Sequence, residues 1–131
     1  MMLQQERMRS PLGRARGLGS AKEGVEHWWR QRLSAVALVP LSLWFVASLI
    51  GLAGADYAEF VEWLSAPLSA TLMVLLLVAT FYHALLGVQV VIEDYVHVEW
   101  QKLAALVVLR GIVALLGALS IFAVLRIALG S

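Results

Sequence analysis

One histidine, His83, stands in the middle of a long uncharged apolar stretch, which closes on Glu93, Asp94, Tyr95 and His97. On a helix turning ~100° per residue, His83 and Asp94 share a face, and at ~1.5 Å rise they lie ~16 Å apart along the axis. Gly87 follows His83 by one turn and leaves bare backbone beside the imidazole. A titratable group at that depth is costly and is commonly functional. Two chemistries suit it. One is a neutral imidazole hydrogen-bonded across helices. The other is axial ligation of a haem iron, which needs a flat approach and apolar walls of the kind Leu76, Phe81, Leu86 and Val90 could supply. One histidine is half of a bis-histidine site. His27 and His97 fall at the membrane interface, so the second ligand would come from another chain.

Asp94 and Tyr95 also read two ways. They suit a helix-end carboxylate and a tyrosine of the aromatic belt. They equally suit a quinone pocket at the membrane surface, where a phenol donates to a quinone carbonyl. Asp94, Glu93 and His97 could then relay the protons that reduction takes up. Arg32 marks the start of the first apolar span as a snorkelling anchor, and its guanidinium could also pair bidentately with a haem propionate. Arg30 and His27 are lesser candidates for that contact. Arg110, about two turns inside the third span, reads as a snorkelling side chain.

These groups need a scaffold, and composition says which. The chain has 131 residues, 61% hydrophobic and 15% charged, too apolar for so short a soluble domain. It reads as an integral membrane protein. Seven of the ten Lys and Arg precede residue 33. A basic arm running directly into an apolar span is explained by topology, with no nucleic-acid partner. The absence of cysteine removes disulfides, thiolate iron–sulfur ligation and covalently attached haem of the C-x-x-C-H type.

Residues 1–23 lack apolar periodicity and read as a flexible cytoplasmic arm. Residues 24–131 read as a three-helix transmembrane domain with spans at about 33–53, 66–92 and 103–127. Trp28 and Trp29 suit the headgroup level, Pro40 predicts a kink, and Pro67 suits a first helical turn. Ala53-Gly54-Ala55 faintly resembles a signal-peptidase site, but the apolar run before it is about twice a typical h-region. The loop after the first span, Asp56 to Trp63, holds Asp56, Glu59 and Glu62 and no basic residue. The second loop, Glu93 to Lys102, holds one, Lys102. The positive-inside rule therefore places the N-terminus in the cytoplasm and the C-terminus in the periplasm, and returns Tyr95 to the cytoplasmic face. The fold class is all-α, three spans up-down-up. Such a bundle is too small to enclose a cofactor alone and points to a sister subunit.

The pattern His83-Ala84-x-x-Gly87 followed by Asp94-Tyr95 resembles that of the small hydrophobic membrane-anchor subunits of bacterial succinate dehydrogenase, in their cytochrome b form. Gly24-Val25, placed ahead of Arg32 at that family's distance, is a second and weaker match. The resemblance covers roughly residues 24 to 129, including the three-span count and orientation. It implies that His83 is an axial ligand of haem b, the other ligand being a histidine of the sister cytochrome b anchor subunit. It implies that Tyr95 hydrogen-bonds ubiquinone with support from Asp94, and that Arg32 lies near the haem propionates. The family can place a histidine two residues after its Gly-Val start. Here that position is Glu26 and His27 follows it, so His27 is carried only as a secondary propionate contact. The implied partners are the sister anchor, an iron–sulfur subunit, a flavoprotein subunit and the lipid of the bacterial inner membrane. The remaining quinone-site residues belong to those partners. Two other readings stand beside this one: the anchor of a quinol:fumarate reductase, and a non-redox three-span scaffold or assembly protein in which His83 only joins helices.

Overall fold

In lipid a spanning segment must satisfy its backbone internally, so long uncharged runs become helices. The computed structural model describes residues 11–12 and 22–130. Apart from Pro11, Leu12 and the first helical positions, the arm expected over residues 1–23 lies outside the described residues. Three helices are long and apolar enough to cross a membrane: α1 (Lys22–Gly51), α3 (Pro67–Tyr95) and α4 (Glu99–Ala128). α1 runs unbroken through Pro40, whose ring removes the N–H that would otherwise bond the carbonyl of Val36. It ends in a turn where Gly54 takes φ +88°, a left-handed conformation that glycine adopts without steric penalty. That requirement accounts for the glycine of Ala53-Gly54-Ala55.

The turn leads into a fourth, short helix, α2 (Tyr57–Ser65), where the sequence reading has only a loop. Its start is a capping box. Asp56 Oδ1 accepts from the Glu59 N–H at 2.9 Å, and Glu59 Oε2 accepts from the Asp56 N–H at 3.0 Å. Pro67 opens α3 at its first turn, as expected. The second loop is shorter than expected. α3 continues through Glu93 and Asp94 to Tyr95, and only Val96, His97 and Val98 separate it from α4.

α3 is the middle element. It packs against α1 on one side and α4 on the other, while α1 and α4 do not approach each other. The spans therefore form an open up-down-up row rather than a closed triangle. Between α3 and α4, the ring of Phe81 lies over buried Gly117, with its Cδ2 3.6 Å from where a β-carbon would stand. α2 closes the far end. Trp63 stacks on Trp44 of α1 with centroids 5.8 Å apart and 21° between planes, and Ser65 Oγ donates to the Ile127 carbonyl at 3.4 Å. The buried apolar side chains are few: Leu64, Leu76, Leu86 and Val124. Most other large apolar side chains face outward, as expected where lipid or partner helices are the surroundings.

Candidate functional site

α1 carries a polar stripe on an apolar helix. Gly24, His27, Gln31 and Ser34 recur at spacings of three and four, so they line one face. That face meets α3 at His83 and Gly87. His83 Nδ1 lies 2.9 Å from Ser34 Oγ, and the same hydroxyl donates to the Gln31 carbonyl at 2.9 Å. Ser34 is the one buried polar residue of the described chain, 7% exposed. The other ring nitrogen, Nε2, faces Gln31 Nε2 at 3.5 Å, longer than a well-formed hydrogen bond. Gly87 opens toward the same side chain: a β-carbon there would meet only Gln31 Nε2, at 3.7 Å. The bare patch expected beside His83 thus exists and is turned toward α1. Sequence reasoning passed over Gln31 and Ser34 because neither is charged. Their helical register with His27 was the available signal.

Toward the Tyr95 end, Gly24, Glu26, His27, Arg30, Gln89 and Glu93 surround a polar hollow of ≈ 410 Å³. Arg30 forms an ion pair with Glu26 one turn back, and Gln89 donates to Glu93 at 2.8 Å. His27 Nε2 and Gln31 Oε1 are buried and have no hydrogen-bond partner among the described residues. Arg30 also lines a mainly apolar groove of ≈ 530 Å³ between α1 and α3, whose walls include Ser34, Leu41, Leu75, Val78 and Tyr82. Arg32 lies elsewhere, exposed, with its guanidinium 5.0 Å from the Trp28 ring centroid in a cation–π contact. Of the two arginines, Arg30 borders the groove beside Ser34.

At the end of α3, Glu93, Asp94, Tyr95 and His97 are all exposed, Tyr95 to 78%. They are not brought to His83. The continuous helix keeps Tyr95 about 18 Å from it along the axis. Arg110 is exposed on α4. Among the described residues no three His, Cys, Asp or Glu side chains cluster as a metal site. A metal bound through this chain would draw on isolated ligands.

Residues 6–125 match the family model described as succinate dehydrogenase/fumarate reductase transmembrane subunit. The chain belongs to that family. Among relatives in this family, the succinate dehydrogenase hydrophobic membrane anchor subunit of Rickettsia bellii is 36% identical over 88 residues, 67% of this chain and 70% of the relative. The protein of the same description from Paracoccus denitrificans is 31% identical over 86 residues, 66% of this chain and 67% of that one. The succinate dehydrogenase membrane anchor subunit of Reclinomonas americana is 28% identical over 100 residues, 68% and 77% of the two chains. No solved structure matches. In this chain, three spans with α3 in the middle are the frame on which His83 and Tyr95 stand.

Proposed function

We propose that this chain is the membrane-anchor subunit of a succinate:ubiquinone oxidoreductase, giving one axial ligand to haem b and one wall of the ubiquinone site. The observation that carries the reading is the placement of His83 and Tyr95 on a single unbroken α3. The first lies part-buried within the span and the second is exposed at its end, in a chain of this family. The residues present fit one axial position. His83 Nε2 and the bare backbone of Gly87 both face Gln31 Nε2, which lies 3.5 Å from the ring nitrogen and 3.7 Å from where a Gly87 β-carbon would stand. Gln31 is held there by a 3.5 Å contact, and its Oε1 lacks a partner, so little opposes its moving aside. The mainly apolar groove lined by Arg30 and Ser34 does not include His83 or Gly87 in its walls, but it puts an arginine on the same side of α1 as Ser34, where it could meet a carboxylate.

When bound, haem supplies a one-electron redox station. The chain's own part is to hold and orient it through His83 and to counter its propionates from α1, by Arg32, Arg30 or His27. At the cytoplasmic rim, the phenol of Tyr95 donates to a ubiquinone carbonyl, and Asp94 supports it as a nearby acceptor and proton carrier. The exposure of Tyr95 supports a site whose other walls come from partners: the sister cytochrome b anchor, the iron–sulfur subunit and, beyond it, the flavoprotein. The chain sits in the bacterial inner membrane with its N-terminus cytoplasmic. The relatives carry succinate dehydrogenase names, which favours this direction over quinol:fumarate reduction.

The deciding experiment is His83→Ala in the assembled complex. The low-spin b-type haem spectrum is expected to vanish or change, with dye-linked succinate oxidation retained. A wild-type complex with no haem absorbance would favour a non-redox scaffold.

A further inference from the structure

A buried hydroxyl has one proton to give. Ser34 Oγ touches two groups at 2.9 Å, the Gln31 carbonyl oxygen and His83 Nδ1. The carbonyl can only accept, so that contact takes the serine proton. Were the proton turned to Nδ1 instead, two oxygen lone pairs would oppose each other at 2.9 Å on a residue only 7% exposed. His83 Nδ1 must therefore be the donor, and in a neutral imidazole the lone pair then falls on Nε2. The direction of the hydroxyl is set by α1 itself, through a bond to its own backbone three residues earlier. It is an acceptor fixed in place before His83 arrives.

We propose that Ser34 is a positioning residue for His83. Its hydroxyl fixes the ring's tautomer and orientation, leaving Nε2 as the iron ligand. This rests on the haem reading above. A ligating histidine commonly donates its second ring N–H to an acceptor that orients it and raises its basicity. In most proteins that acceptor is a carboxylate, a carbonyl or water. Within this apolar span a neutral hydroxyl does the same without placing a charge in the bilayer. A more basic imidazole favours ferric over ferrous iron, so the bond holds the haem potential down.

The test uses two nearly isosteric variants in the assembled complex, Ser34→Val and Ser34→Thr. Ser34→Val is expected to raise the haem midpoint potential, alter the low-spin EPR g-values and lower haem retention on the order of 10-fold. Ser34→Thr keeps the hydroxyl and is expected to match the wild type. Should Ser34→Val not assemble, Ser34→Ala carries the same test. Wild-type potential and spectrum in the variant lacking the hydroxyl would overturn the proposal, as would equal shifts in both variants, which would make volume the cause. If His83→Ala retains the haem unchanged, the haem reading itself has failed, an outcome separate from either of these.

Discussion

His83 and Tyr95 stand on one unbroken helix, about 18 Å apart along its axis, the first facing α1 and the second exposed at the helix end. On the proposed reading they serve two sites, so one can be damaged without the other. Tyr95→Phe removes only the phenolic donor. Succinate:ubiquinone activity is expected to fall on the order of 10²-fold, the scale of one positioned proton donor. Succinate oxidation by an artificial dye and the haem spectrum should be unchanged. Measuring both rates on the same membranes checks this, and an equal fall in the two would remove Tyr95 from the quinone site.

The two arginines near the start of α1 make opposite claims on the haem propionates. Arg32 has the position implied by the family pattern, whereas Arg30 borders the groove next to Ser34. Ferrous haem carries one more electron than ferric, so losing a cation beside a propionate disfavours the ferrous form more and the haem potential drops, opposite in sign to the Ser34→Val effect. Potentiometric titration of Arg32→Gln and Arg30→Gln separates them. A drop confined to Arg30→Gln would transfer the role from Arg32 to Arg30.

Gly87 tests the flat approach to His83. A methyl group there meets only the end of the Gln31 side chain at 3.7 Å, an ordinary contact, so Gly87→Ala should assemble normally. Gly87→Leu fills the space beside the imidazole. Haem content per complex, read from the pyridine haemochrome, is expected to fall several-fold while the complex still assembles. Full haem occupancy in Gly87→Leu would mean that the ring lies on another side of His83.

Asp56 tests the short helix. Removing its carboxylate in Asp56→Ala leaves the Glu59 N–H without its acceptor and is expected to destabilise α2 by about 1 kcal/mol, with Asp56→Asn nearly neutral. Thermal unfolding of the complex in detergent, followed by tryptophan fluorescence, reads it out, since Trp63 stacks on Trp44 only while α2 holds. Equal midpoints for Asp56→Ala and the wild type would show that packing alone sustains the helix.

Much of this architecture was legible in the chain because charge is so expensive in a bilayer. The three spans, the open position of Tyr95 and the partly buried one of His83 follow from where charges are missing. The same signal misplaces helix ends. Glu93, Asp94 and Glu99 mark where the uncharged run stops, but a helix can carry charges into the headgroup layer, and here only Val96 to Val98 leave helical geometry. α2 was hidden because nine residues are too few for a clear periodicity, although its Asp56–Glu59 box was readable. Gln31 and Ser34 were hidden for another reason. Gln31 falls in the polar lead-in between Arg30 and Arg32 and a single serine scarcely disturbs a hydropathy profile, so their importance emerges only when packing shows that they face His83.

The open row has a mechanical consequence. Because α1 and α4 flank α3 on opposite sides and are linked through α2 at one end, they can splay against α3 mainly at the other end. α3 itself acts as a ruler. Whatever rocking the assembly undergoes, the spacing between the His83 and Tyr95 levels is fixed by backbone hydrogen bonds alone. On the proposed reading, electron tunnelling between sites at those levels would keep its distance constant while lipids and partner chains shift around them.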